Sequence, residues 1–227
     1  MTTAMPPEPM YWLPGDSCGV TVFTATGLET WAARRRLPPG IRIEHTGVAL
    51  RAWSPRHAQP FVSCGLAGGL DTALAPGTIV IPTWVGLPTG ERLHCHALLV
   101  AALVTAACRL GYAPVTAPLL TTPRIVTGAA RWEWYTRGYA AADMETGLLL
   151  SWRPDGAAVR VILDTPARDL SPAWTHPLWA LCAPRHWPEA VRLGLAAPAY
   201  ALRAAAVVAE ALRTIGEQDD CRQPVSW

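Results

Sequence analysis

Lysine is missing from this chain altogether: its 19 basic residues are all arginine, set against 17 acidic ones in 227 residues, for a formal charge of +2. The arginines are scattered, Arg34-Arg35-Arg36 apart. There is no basic face of the kind that tracks a phosphate backbone, and nucleic acid is not expected as a partner. The arginine triplet reads as the solvated end of a helix, an anion contact being the other reading. Long apolar runs are missing too. The longest one free of charge, Ala97 to Cys108, is too short to cross a bilayer, so a soluble or peripheral protein is expected. Cysteine is sparse and dispersed at Cys18, Cys64, Cys95, Cys108, Cys182 and Cys221. No secretory signal precedes these cysteines, and reduced thiols in a cytoplasmic protein are expected. His94-Cys95-His96 places ligand types two residues apart, with no second pair at zinc spacing, so neither a metal nor a cofactor is expected. A Walker A loop, a GxGxxG stretch opening a helix, and internal repeats are all absent.

What is present is an apolar content of 51%, enough to bury one core of ordinary size. Residues 1–18, with Pro6, Pro7, Pro9 and Pro14, read as an irregular arm. Residues 19–216 read as a single domain and 217–227 as a polar tail. Gly19–Thr26 is β-branched and short, a first buried strand, and Leu28–Leu37 reads as a helix stopped by Pro38-Pro39-Gly40. Ile41–Glu44 alternates with period two, and Gly47–Trp53 is a candidate partner strand. Pro60-Phe61-Val62 reads as a strand running into a glycine-rich loop, Gly65-Leu66-Ala67-Gly68-Gly69, where backbone can approach a ligand or simply make a tight turn. Thr78–Pro82 is a further strand.

Leu93–Leu110 reads as one helix closed by Gly111. Its apolar residues lie on nearly every side, which points to burial or a subunit contact and hence to a homo-oligomer. Pro114–Thr122 reads as strand and loop. Thr127 is a fair N-cap for a helix to about Arg137, stopped by Gly138. Thr146–Trp152 reads as a short helix and Ala157–Leu163 as a strand that ends in Asp164. Beyond it Trp174, Trp179 and Trp187, set among prolines, suit an apolar wall or lip. A final helix spans Glu189 to about Gly216, kinked at Pro198. The alternation of strands and helices predicts a three-layer α/β/α sandwich with a mixed central sheet.

Three stretches then carry a resemblance. Gly65-Leu66-Ala67-Gly68-Gly69-Leu70-Asp71, followed by Ala73-Leu74, Pro76-Gly77 and Ile79-Val80-Ile81-Pro82, resembles the signature of the purine nucleoside phosphorylase and nucleosidase superfamily. Leu66 is similar to the hopanoid-associated phosphorylase branch. Ala142-Asp143-Met144-Glu145-Thr146 resembles that family's ribose-binding element, and Val159–Asp164 its strand carrying a purine-protonating aspartate. The resemblance runs from about Val20 to Gly216. It implies cleavage of the N-glycosidic bond of a purine nucleoside. Asp164 would be the general acid, with Arg160 on the same strand face as either a catalytic partner or a structural ion pair. Glu145 would hold the ribose hydroxyls, with Met144 packed on the sugar, and Gly65, Leu66, Ala67 and Gly68 would line the nucleoside. On residue type alone, Glu145 also reads as an acid at a helix N-terminus.

The family's water-activating glutamate corresponds to Trp31, which is expected to line the pocket, and Glu29 is expected to point to another face of its helix. An indole can accept no proton from water. Phosphate therefore stands as a possible co-substrate, although Leu66 and Ser63 replace the family's phosphate-binding serine and arginine. The resemblance to the hopanoid branch implies adenine removal from adenosylhopane, a lipid-linked nucleoside, and with it possible peripheral membrane contact. The alternatives are a nucleosidase acting on 5′-methylthioadenosine or S-adenosylhomocysteine, and a non-catalytic nucleoside-binding scaffold.

Overall fold

The first strand is buried along its whole length, as its β-branched residues require: β1 (Thr21–Thr24) lies between two parallel neighbours, β2 (Arg42–His45) and β3 (Phe61–Gly69). The structure, a computed structural model, describes residues 19–53, 59–167 and 187–220. The expected arm 1–18, the tryptophan lip around Trp174 and Trp179, and the side chain of Trp187 lie outside the described residues.

β1 turns at Thr26 into α1 (Gly27–Arg36), close to the expected helix. A capping box fixes the corner: the Thr26 hydroxyl accepts from Glu29 N at 3.2 Å, and the Glu29 carboxylate accepts from Thr26 N at 2.8 Å. Arg34, Arg35 and Arg36 fill the last turn, where cations complement the helix dipole. The chain's two phenylalanines, Phe23 and Phe61, meet beneath this corner at 5.5 Å between ring centroids.

The glycine-rich stretch is not the loop expected of it. β3 continues unbroken for nine residues through Gly65, Gly68 and Gly69. It pairs in parallel with β9 (Gly156–Asp164) from Phe61 to Gly68, and antiparallel with β8 (Ala141–Asp143) at Gly68 and Gly69. β9 satisfies the backbone along one side; on the other, β1 pairs with Phe61–Ser63, β8 with Gly68 and Gly69, and between them Leu66 N donates to the Glu29 carboxylate, while the missing side chains make room for other residues. The sheet runs β2, β1, β3, β8, then β7 (Leu119–Thr121), β5 (Trp84–Gly86) and β6 (Arg92–His94). β9 branches from β3 and pairs with β4 (Ile79–Val80), which is all that pairs of the expected strand 78–82. Both parallel and antiparallel pairs occur along it, so the sheet is mixed as expected.

Helices cover this sheet in an α/β fold. α2 (Ala97–Arg109) packs on α5 (Trp187–Asp220), which also contacts α1, β3 and β9. α4 (Thr146–Trp152), found where the sequence predicts it, lies against β5, β6 and β7. α3 (Ala129–Thr136) begins after Gly128, at φ 56°, rather than being capped by Thr127; Gly138, at φ 92°, follows its end. Gly47–Trp53 does not pair with β2, which ends the sheet with β1 as its neighbour; it contains a 3-10 turn, Val48–Leu50.

The expected helix 93–110 is split. Arg92–His94 pairs with β5, and His96 N donates to Gly156 O at 2.7 Å, so the chain is extended until Ala97. Within α2 one stripe is buried, Leu99, Val100, Leu103, Ala106 and Ala107, while Leu98 is 70% exposed. The apolar surface that suggested a subunit contact is thus largely covered by α5 and β9. α5 continues through Gly216 to Asp220. Its Leu193–Glu217 stretch is long and apolar enough by composition to cross a membrane, yet Ala201, Ala204, Ala205, Val208 and Leu212 are buried in the core.

Candidate active site

The site begins at the β1–α1 corner. Glu29 is at the third helical position, turned inward by the capping box. Its Oε2 accepts from Ala25 N at 3.0 Å and Thr26 N at 2.8 Å, and its Oε1 reaches β3 to accept from Leu66 N at 2.7 Å. A carboxylate held by three backbone donors is fixed in place. Gly65 is what lets it in, since a Cβ there would lie 2.2 Å from Glu29 Oε1.

Trp31 does not line the cavity, contrary to expectation; it is 46% exposed. Two residues along a helix turn the side chain by roughly 200°, so when the cap draws Glu29 inward Trp31 faces out. Glu29, expected on another face, is the carboxylate that meets the cavity.

The second contribution comes from the junction of β8 and α4. Asp143 Oδ2 accepts from Arg160 Nε at 2.9 Å and from Thr146 N at 3.1 Å, and Oδ1 accepts from Thr121 Oγ1 at 2.5 Å. Arg160, on β9, is 1% exposed and does not reach the cavity wall. Its Nη2 lies 2.7 Å from Asp143 Oδ2, donates to Ser63 Oγ at 2.7 Å and to Thr146 Oγ1 at 2.9 Å, and stands 3.8 Å from Glu145 Oε2. Of the two roles open to it, the geometry fits the structural ion pair: Arg160 holds the acids in front of it and lies behind the cavity lining. Burial works against its charge, but Asp143, Glu145 and Glu29 together hold it protonated above the ordinary arginine range.

Glu145 is buried and lines the cavity. It stands at the N-terminus of α4 without capping it; Oε1 instead accepts from Ala49 N at 2.9 Å. Ala49 has φ 54° and ψ 35°, an uncommon conformation for alanine, in the turn that carries this donor. Burial, reinforced by Asp143 and Glu29, pushes the Glu145 carboxyl up to about 7, while Arg160 and the Ala49 N–H pull the other way. Met144, beside it, also lines the cavity.

Asp164 closes the far side. A register shift after Ala67, where Gly68 pairs with Asp164 and Ile162 with Ala67, leaves Leu163 as an extra residue on β9. Both Leu163 and Asp164 then face the cavity, the kind of re-aiming that a bulge produces. Asp164 is ion-paired with Arg131 of α3, whose Nη1 donates to Gly69 O at 2.5 Å. The reading of Asp164 as the general acid did not include this cation.

These residues enclose a cavity of about 250 Å³ lined by Glu29, Asp143, Glu145 and Asp164, by Arg124 and Arg131, and by apolar Val48, Ile125, Val126 and Met144. Leu66, Ala67 and Gly68 line it as expected; Gly65 lies behind them, against Glu29 and Arg160. Arg131 and Arg124 carried no signal in the sequence, since neither stands in a recognisable motif. Glu29 carried one, the spacing Thr26-x-x-Glu29 of a capping box. Among the described residues, no group of three His, Cys, Asp or Glu side chains is placed to hold a metal ion. Burial pushes the Cys64 thiol up to about 12, which leaves it protonated and unreactive.

Neither a protein-family model nor a curated protein matches the sequence. The fold does match solved structures. The 5′-methylthioadenosine/S-adenosylhomocysteine nucleosidase of Neisseria meningitidis, in complex with methylthio-immucillin-A, superposes with a TM-score of 0.66 at 18% identity, covering 86% of this chain and 98% of that one. Futalosine hydrolase of Helicobacter pylori gives 0.63 at 12% identity, over 86% and 97%. The Colwellia psychrerythraea nucleosidase, in complex with adenine, gives 0.63 at 17% identity, over 87% and 95%. The chain has the nucleosidase fold over nearly the whole length of these enzymes.

Proposed function

We propose that this protein is an enzyme that cleaves the N-glycosidic bond of an adenine nucleoside, with water as the nucleophile. The observation that carries the reading is the convergence of Glu29, Glu145 and Asp164 on one cavity of about 250 Å³. Breaking this bond moves electrons into the base and leaves positive charge on the ribose. Glu29 takes a proton from water as the oxygen bonds to C1′. The electron pair of the C1′–N9 bond goes to the base, and the proton that neutralises the base passes through Asp164 to N7. Glu145 accepts from the ribose hydroxyls and, once ionised, stabilises the cationic sugar. Arg160 and Asp143 hold Glu145 in place from behind.

Water is favoured over phosphate by charge. Among the described residues, four carboxylates face the cavity against two guanidiniums, and one of those, Arg131, is committed to Asp164. A dianion is repelled where a developing cation is welcomed. Phosphorolysis is the second reading, favoured by Arg124, an exposed guanidinium on the cavity wall. Val48 and Ile125, both on the wall and partly open to solvent, favour a nucleoside with an apolar 5′ substituent. Adenosylhopane, which the family resemblance implies, and 5′-methylthioadenosine are both of that class.

The test is adenine release from 5′-methylthioadenosine with and without phosphate. Release without phosphate, lost in Glu29→Gln, supports hydrolysis. A ribose 1-phosphate product that requires phosphate moves the reading to phosphorolysis. No release from any adenine nucleoside, with binding retained, leaves a nucleoside-binding scaffold.

A further inference from the structure

α1 turns Glu29 inward, and its other charged side chains face out. Trp31, Arg34 and Arg35 are spaced i, i+3 and i+4, so they share one exposed face, and Arg36 is exposed beside them at the helix end. The helix packs on β2, which ends the sheet, and the chain leaves β2 through a turn that carries exposed Val48 and Arg51. Between residues 27 and 53 five arginines, Arg34, Arg35, Arg36, Arg42 and Arg51, stand against the inward Glu29 and against Glu44, which accepts from Arg42 at 2.9 Å. Outside the cavity this edge therefore carries an excess of four positive charges, while the whole chain carries +2. We infer that the edge formed by α1, β2 and the 47–53 turn is a docking surface for an anionic lipid bilayer, with Trp31 at headgroup depth and the arginines on the lipid phosphates.

Charge supplies the attraction and the indole sets the depth. Each arginine brought to an anionic headgroup layer strengthens binding by roughly fivefold, and an indole settles where apolar chains meet water. Trp31 is 46% exposed with arginines on its own helix face, which suits that boundary, and Val48, 42% exposed in the turn after β2, adds an apolar contact. The opposite edge of the sheet, around β5 and β6, shows why the charge decides. Exposed indole is present there too, with Trp132 61% exposed, and Arg92 lies over Trp84 at 4.7 Å and Arg137 over Trp134 at 4.6 Å. Glu91 and Glu133, however, balance those two arginines, so that edge offers an anionic surface little attraction. Val48 also lines the cavity, which places the proposed lipid contact beside the cavity wall. Lipid binding at this edge requires nothing of the reaction inside.

The test is sedimentation of the full chain with vesicles of phosphatidylcholine, made with and without phosphatidylglycerol. The wild type is expected to bind the anionic vesicles at least about 20-fold more tightly than the neutral ones, and to lose that excess as salt is raised. Arg34→Gln/Arg35→Gln should weaken binding to the anionic vesicles by roughly 20-fold, two arginines at about fivefold each. Arg92→Gln/Arg137→Gln removes the same charge from the opposite edge and should leave binding within about twofold. Arg51→Gln, in a different element, gives a second reading should the first pair disturb α1, with an expected loss of about fivefold. Trp31→Ala should cost roughly tenfold, the scale of partly burying an indole, and brominated lipid should quench the fluorescence of the wild type more than that of Trp31→Phe. Equal binding to the two kinds of vesicle, or binding to neither, overturns the inference, and so does an equal loss in the two double variants. RNA that displaces the protein from vesicles at a lower phosphate concentration overturns it in favour of nucleic acid. Self-association that is lost in Arg34→Gln/Arg35→Gln, with no vesicle bound, overturns it in favour of a second copy of this chain.

Discussion

The two ends of the cavity hold their carboxylates by different means. At the β1–α1 end Glu29 is gripped by three backbone N–H groups, and Glu145 by the N–H of Ala49, with the Arg160 guanidinium standing back at 3.8 Å. At the other end Asp164 is gripped by a guanidinium in direct contact. Both means favour the ionised carboxylate: backbone N–H groups do so through several directed donors that also fix its orientation, and a contacting guanidinium adds a full charge. The first arrangement suits carboxylates that meet water and a transient cation on the sugar; the second holds the carboxyl that passes a proton to the base beside a fixed positive charge.

The largest expected effect breaks the first end. Glu29→Gln removes the proton acceptor and should lower the rate of adenine release by about 1,000-fold, with nucleoside affinity nearly retained. A rate within tenfold of wild type would remove Glu29 from the chemistry. Asp164→Asn should follow at about 100-fold or more, the usual scale for a general acid, and single-turnover kinetics would separate this chemical step from product release. Glu145→Gln is expected to weaken both binding and turnover, as it serves the ribose hydroxyls and the cation.

Glu145 also gives the contrast a pH signature. Its folded-state value, raised to about 7, lies above the ordinary 4.5, so the folded protein holds a proton that the unfolded chain has released. That contribution to stability is fully present below pH 4.5 and is lost as pH rises through about 7. Urea unfolding at pH 5 and pH 8 should show wild type losing on the order of 3 kcal/mol more than Glu145→Gln over this interval. Equal losses in the two proteins would mean that Glu145 is ionised throughout. The same ionisation predicts activity rising with pH through about 7 if the cationic sugar needs the charged form.

The smallest effect concerns Trp31, exposed on the outer face of α1. Trp31→Ala should change the rate of base release by less than about twofold and the stability by less than about 0.5 kcal/mol, as surface substitutions do. A large loss of activity would return the indole to the site.

By itself the sequence determined the parts of this molecule that depend on local chemistry. The β-branched run at β1, the proline stop after α1, the short helix after Glu145 and the strand ending in Asp164 follow from residues a few positions apart. They were legible for that reason. So were Met144, Glu145, Leu66, Ala67, Gly68 and Asp164 as cavity residues, although the motif and not the physics singled them out. What tertiary structure decided depends on partners distant in the chain. The glycines of β3 look like a turn in sequence, yet become a strand because β9 and β8 satisfy their backbone and because Glu29 and Asp164 occupy the space their side chains would fill. Arg160 proved to be buried behind the acids and Trp31 to face solvent, since strand register and cap geometry settle which way each points. Arg131 comes to Asp164 across 33 positions, and no local pattern announces that pairing, because the cost of burying either charge alone appears only when the chain has folded around both.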